Sequence, residues 1–144
     1  GLNPEVATQS MVDGTLEVQL IPQGSLAEMI RAGGGGLGGV LTPAGVGTIV
    51  EDSPYCLGKQ TIDGRDYLLM KPIHADFAVI CGAIDKAGNV WYKGNTSNFN
   101  LVMATAADTV IAEAEEIVEI GEIEPENVRT YGVFVDYVVE GGKL

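Results

Sequence analysis

Eight of the chain's 20 glycines fall between positions 33 and 47, and no other feature of the sequence restricts the fold so strongly. Each glycine inside a helix costs about 0.8–1.0 kcal/mol relative to alanine. Residues 33–47 are therefore predicted to form a loop of unusual backbone freedom. The longest uncharged stretch, residues 32–50, contains these eight glycines and Pro43 and would make a poor lipid-facing helix. A soluble chain is expected. At 144 residues with 46% apolar and 19% charged residues, one domain with a real core is expected, burying about 68–70% of the unfolded chain's surface. The net charge of −12 argues against binding nucleic acid or an anionic membrane through a broad basic patch. Cys56 and Cys81 are neither a disulfide framework nor a redox pair, and no basic-then-apolar leader is read at the start, so a reducing cytoplasm is the expected setting. The first residue is Gly1, which reads as a processed chain or a piece of a longer one.

Around the loop, Leu16, Val18 and Leu20 alternate with Glu17 and Gln19, so residues 15–21 are predicted as a strand with one covered face. Ser25 followed by Glu28 is a capping-box signature, so Ser25 is expected to cap a short helix that Arg31 and Gly33 close. Residues 46–51 read as a strand. Residues 60–70 read as a hairpin turning at Asp63-Gly64, two residues that tolerate positive φ. Residues 76–84 form a nearly continuous apolar run, expected as a strand buried on both faces of a mixed or parallel sheet. A turn at 85–89, a short strand at 90–93, a helix within 98–107 and a strand at 109–118 follow. Pro125 suits a helix start, and 133–139 is a last strand. Strands alternating with short helices predict an α/β fold with a mixed, largely parallel sheet.

Little in the chain invites catalysis. His74 is the single histidine, and it reads as a structural residue at a loop-to-strand junction. No zinc-type ligand spacing occurs, so no metal site is expected. Gly34, Gly36 and Gly39 satisfy G-x-G-x-x-G but follow a helix and precede a strand, the reverse of the dinucleotide fingerprint. Gly58-Lys59 is followed by Gln60, so no phosphate loop is completed. The seven glutamates within residues 113–126 read as a solvated face. Cys56 has no basic neighbour before Lys59, so nothing supports an activated thiol there. Glycines do let a backbone approach a ligand closely and can aim successive N–H groups at an anion. A loop packed against a neighbouring chain is the equal alternative on these residues.

Four segments in order carry a resemblance. They are Pro22-Gln23-Gly24-Ser25-Leu26-Ala27-Glu28-Met29-Ile30-Arg31-Ala32-Gly33-Gly34, and Leu41-Thr42-Pro43-Ala44-Gly45-Val46-Gly47-Thr48; then Asp76-Phe77-Ala78 with Ala87-Gly88-Asn89-Val90, and Ser97-Asn98-Phe99-Asn100 leading to Glu115-Glu116-Ile117-Val118. Together the chain resembles the alpha subunit, or N-terminal half, of the family I 3-oxoacid CoA-transferases. The resemblance implies a fold of the CoA-transferase, ribose-5-phosphate-isomerase-like type. It implies an enzyme that moves coenzyme A, as substrate rather than cofactor, from a short-chain acyl-CoA to a free acid such as acetate, butyrate or acetoacetate. The nucleophile is a glutamate in a Ser-Glu-Asn-Gly motif of the beta subunit, so no catalytic residue is expected in this chain. Gln23, Gly33, Gly34, Gly35, Gly36, Leu37, Gly38 and Gly39 are the residues implied to face CoA or the acyl group across the subunit interface.

The chain differs from the family pattern at Gly35, where alanine is common, and at Val40, where an aromatic is frequent. Family alpha subunits also carry an upstream strand-helix region with a Gly-Gly-Phe signature. Residues 1–144 then correspond to a single partial domain, the C-terminal two-thirds of such a subunit, with an exposed apolar surface where the absent strands would pack. The implied partners are that N-terminal segment and a beta subunit, in a complex of two alpha and two beta subunits. Two other readings stand beside this one: an acyl-CoA hydrolase-like or ring-opening relative in which water is the acceptor, and a non-catalytic assembly or ligand-binding module.

Overall fold

The computed structural model describes residues 4–141, which form three α-helices, α1 (Pro4–Met11), α2 (Gln23–Gly34) and α3 (Asn100–Met103), and two sheets. The smaller sheet holds β1 (Val40–Thr42), β2 (Cys56–Ile62) and β3 (Arg65–Met70) in the antiparallel order β1-β3-β2. Its hairpin turns at Asp63 (φ 52°) and Gly64 (φ 76°), as expected of a turn that needs positive φ at both positions. α2 lays Met29 against Val50, Leu68 and Met70 of this layer, with Ile21, Val40 and Ile73 at the margin.

The larger sheet, in the order β5-β4-β6-β7, holds β4 (Ala75–Asp85), β5 (Val90–Trp91), β6 (Ala107–Val118) and β7 (Tyr137–Glu140). β4, β6 and β7 run parallel and β5 antiparallel, so the mixed, largely parallel sheet is present. Ala78, Ile80 and Ile84 of β4 and Val110, Ala112 and Ala114 of β6 form the second core with Tyr92 and Ala104 from the β4–β6 connection. Asp85 stabilises the carboxyl end of β4. Its Oδ1 accepts from the N–H groups of Ala87 and Asn89, both at 2.9 Å, while Asn89 Oδ1 accepts from Gly132 N–H at 2.9 Å.

The two sheets meet where α2 ends. A Cβ on Gly33 would stand 1.8 Å from the Ile73 carbonyl oxygen, and one on Gly34 would stand 2.4 Å from Thr105 Oγ1. Only glycine admits that approach. Ile73 N–H then donates to the Met29 carbonyl at 2.9 Å, and Ala75 N–H to that of Ala106 at 2.9 Å, so the strand leading into β4 is held from both sides.

Several expectations are corrected. Residues 15–21 join no sheet and leave Leu16, Val18 and Leu20 exposed, because alternation makes a strand only when a ladder partner is at hand. α2 starts at Gln23 with Pro22 as its N-cap, so Ser25 lies inside the helix and is buried rather than capping it. Residues 46–51 are a turn followed by a 3-10 helix (Ile49–Asp52), nucleated by Thr48 Oγ1 accepting from Val50 N–H at 3.3 Å. Within the glycine-rich loop, Val40–Thr42 pairs with Leu68–Met70 as β1. The last strand is only Tyr137–Glu140, preceded by a 3-10 turn (Gly132–Phe134). β4 is not buried on both faces: Phe77 is 66% and Val79 57% exposed. Among the described residues no helix is long and apolar enough to cross a membrane.

Replacing Gly33 or Gly34 with alanine is expected to destabilise the fold by about 1–3 kcal/mol through overpacking. Gly38 has open space around its Cα and no positive φ, so Gly38→Ala is expected to be near neutral. Urea unfolding of the three variants checks both statements.

Candidate functional site

α2 ends in a complete C-terminal cap. Gly35 N–H donates to the Arg31 carbonyl at 2.9 Å, Gly36 N–H to that of Gly33 at 3.2 Å, and Leu37 N–H to that of Ala32 at 2.9 Å. Gly36, with φ at +66°, supplies the left-handed residue this motif requires. Three successive N–H groups of the loop are thus committed to helix carbonyls and do not form an anion nest. What the loop offers a ligand is shape: Gly35, Gly36, Leu37 and Gly38 are exposed and project past the end of the helix. Gly39 turns inward, where a Cβ would stand 2.8 Å from Leu69 Cδ1.

Gln23 is exposed at the opposite end of α2, and 12 residues of helix are about 18 Å long. The candidate residues therefore fall into three sets. Gly33, Gly34 and Gly39 pack against their own chain, Gly35 to Gly38 form an exposed tip, and Gln23 stands exposed at the far end of the helix. A groove of about 360 Å3 lies near it, between the start of α2 and β1, lined by Pro22, Gly24, Ser25, Glu28, Leu41 and Thr42 among others. Ser25 Oγ is buried there without a hydrogen-bond partner. The helix start adds unpaired backbone donors and a partial positive charge, while the Glu28 carboxylate also lines the groove, so the groove offers donors to a neutral carbonyl oxygen rather than to a second carboxylate.

A second crevice, of about 280 Å3, opens at the carboxyl ends of β4 and β6, where open α/β sheets commonly hold ligands. Trp91, Glu116, Glu122, Glu124 and Asn127 line it with Ala83. Sequence reasoning missed it, because its walls come from residues 83–127 and only the glutamate run gave a signal. The glutamates of that run are solvent-exposed, as expected.

His74 Nδ1 stands 3.9 Å from Asp108 Oδ1, with half of its side chain exposed, at the junction leading into β4. Both cysteines are free. Burial pushes the Cys81 thiol up from its usual range, and Glu115 and Glu113 push it further. A thiolate at Cys81 is therefore disfavoured, the opposite of an activated nucleophile. Among the described residues no group of three or more His, Cys, Asp or Glu side chains is placed to hold a metal ion.

The family model described as coenzyme A transferase matches residues 2–141. The chain belongs to the coenzyme A transferase family. It is 50% identical over 141 residues to the acetoacetyl-CoA:acetate/butyrate CoA transferase alpha subunit of Clostridium acetobutylicum, covering 97% of this chain and 63% of that relative. It is 45% identical over 140 residues to the acetate CoA-transferase subunit alpha of Escherichia coli, covering 96% and 62%. The chain thus spans a little under two-thirds of the length of these relatives. Among solved structures, an acyl-CoA transferase of E. coli O157:H7, in a thioester complex with CoA, superposes with a TM-score of 0.83 at 22% identity, over 96% of this chain and 30% of that one. Glutaconate coenzyme A-transferase of Acidaminococcus fermentans gives 0.73 at 21%, over 89% and 47%. The α/β architecture is therefore that of the CoA-transferases.

The raised Cys81 pKa carries a sign. A thiol held above its unfolded value contributes stability that is complete below the ordinary thiol range and is lost as pH rises through the folded value. Stability is expected to fall more steeply above about pH 9 in the parent than in Cys81→Ala. Urea midpoints measured from pH 7 to 10.5 check this, and parallel slopes would contradict it.

Proposed function

We propose that this chain is part of the alpha subunit of a CoA-transferase that exchanges CoA between a short-chain acyl-CoA and a free carboxylic acid such as acetate, butyrate or acetoacetate. The observation that carries the reading is the 50% identity, across 97% of the chain, to a relative named for acetoacetyl-CoA:acetate/butyrate transfer. Those names describe transfer to an acid and not hydrolysis, which favours the transferase reading over the hydrolase one.

In this reading a glutamate of a beta subunit attacks the thioester carbonyl and CoA leaves as its thiolate. The thiolate then attacks the glutamyl carbonyl of the resulting anhydride and expels the first acid. The acceptor carboxylate attacks the glutamyl-CoA thioester, and CoA returns to the new acyl group, restoring the glutamate. No oxidant or metal is consumed. This chain supplies walls. Gly35 to Gly38 with Leu37 let the CoA ester approach an exposed turn closely, and Gln23, beside the Ser25 groove, offers an amide donor to a carbonyl or carboxylate oxygen. Gly33, Gly34 and Gly39 hold the tip in place from beneath. The chain is one partial domain, working in the cytoplasm with a beta subunit and a further alpha-subunit segment, as two alpha and two beta subunits.

The test uses the assembled complex of beta subunit, further segment and this chain. Gly38→Val is expected to raise the KM for the acyl-CoA roughly tenfold with kcat and assembly little changed, since uniform binding is what a wall provides. Gln23→Ala is expected to lower kcat and kcat/KM together. Loss of assembly in Gly38→Val would instead assign the tip to packing between subunits. Assembled complex that releases free acid but never transfers CoA would overturn the reading.

A further inference from the structure

β2 is an edge of the smaller sheet, beyond β3 in the order β1-β3-β2. Every residue of it after Cys56 is exposed, Leu57 at 55% and Ile62 at 42%. The turn at Asp63 and Gly64 closes on the pair Ile62 and Arg65, and the residues flanking such a tight turn exchange both of their backbone hydrogen bonds. Alternation along the ladder then turns the N–H and C=O groups of Gln60 and Ile62 toward β3 and those of Lys59 and Thr61 away from it. Among the described residues nothing receives the outward groups. Natural edges are blunted by proline, by charges or by a covering element, because a bare edge pairs readily with another chain. β2 holds no proline and one charge, Lys59, which reaches back to Glu51 at 3.6 Å.

Charge and pattern say what fits there. Lys59 and Arg65 balance Asp63 and Asp66 along the hairpin, in a chain of net charge −12. A copy of this chain is therefore not repelled there, unlike at the edge strand β7, where Glu140 and the neighbouring Glu113 and Asp136 would meet their own kind. The strand is also complementary to itself. In an antiparallel pair about a two-fold axis at Gln60, Lys59 of each copy meets Thr61 of the other, outward groups to outward groups, and each such pair exchanges both bonds. The exposed Ile62 comes opposite Gly58 of the second copy, where even an added Cβ would meet nothing within 4 Å. The two Gln60 amides face each other at the axis, each able to donate and accept. An axis at Lys59 would instead set like charges directly opposite, and one at Thr61 would run the ladder into the turn at Asp63.

We propose that β2 is the contact between two copies of this chain, which pair antiparallel about Gln60 and join their three-stranded sheets into one. This rests on the proposed assembly in that it supplies the contact between its two alpha subunits, and not on which acids exchange CoA.

The experiment uses the whole chain without CoA. The parent is expected to sediment as a concentration-dependent dimer. Thr61→Pro removes an outward N–H and leaves the ladder to β3 intact, and it is expected to weaken the dimer roughly tenfold or more with circular dichroism unchanged. Gln60→Glu, which sets two carboxylates opposite each other, is expected to do the same from a position already open to solvent. In a Cys56→Ser, Cys81→Ser background, oxidised glutathione is expected to link Gln60→Cys into a disulfide dimer, because a non-hydrogen-bonded pair stands about 4.5 Å apart at Cα, within disulfide reach. Thr61→Cys, about 7–8 Å from its own copy across the diagonal, is expected to link at least tenfold less. A parent that is monomeric at every concentration, equal linking at positions 60 and 61, or a dimer that Phe77→Glu dissolves and Thr61→Pro leaves intact would each overturn the proposal. Transfer activity of the complex assembled with a beta subunit is scored separately. An inactive complex that links through position 60 counts against the catalytic reading alone, and an active complex that does not link counts against this contact alone.

Discussion

The closeness of two backbones at the end of α2 decides most of what this chain can do. Gly33 lies against the Ile73 carbonyl and Gly34 against Thr105, so the last turn of the helix is wedged into the strand leading to β4 and the turn leading to β6. A Cβ at either place would force the two sheets apart. Because the helix stops there, its cap must be built at once, and Gly36 supplies the positive φ that lets Leu37 N–H return to the Ala32 carbonyl. The exposed tip is thus a rigid consequence of packing. A wall that is fixed before a ligand arrives loses little entropy on binding.

What could be read from the sequence follows the range of the interactions that set it. The Asp63-Gly64 hairpin was legible because its determinants are adjacent, and the apolar run at 76–84 was legible as a strand because the run is continuous. Leu16, Val18 and Leu20 show the converse: alternation records what a segment would bury, and no strand among the described residues receives it. Phe77 and Val79 mislead in the same way. Their chemistry is that of a covered strand, and nothing among the described residues covers them. Ser25 and Glu28 satisfied a capping pattern, but the helix opens at Gln23, directly after Pro22, in phase with Ser25 facing inward.

At the site, the glycines could be found but not sorted. Gly33, Gly34 and Gly39 owe their identity to Ile73, Thr105 and Leu69, at least 30 positions away, whereas Gly35, Gly36 and Gly38 face solvent. In the sequence all six look alike. Gln23 and the tip also read as one site, because 12 residues are close in sequence and a helix length apart in space. The larger sheet and the glycine tip have one feature in common: each is covered by the described residues on one side and exposed on the other.

The most direct measurement is hydrogen exchange on the complex assembled with a beta subunit and the further alpha-subunit segment, with and without acyl-CoA. The tip and the groove by Gln23 should gain protection on adding acyl-CoA while residues 33, 34 and 39, already enclosed, stay unchanged. Protection confined to the crevice of Trp91 and Glu116, with the tip exchanging as before, would contradict the central claim that the end of α2 is built to meet the CoA ester.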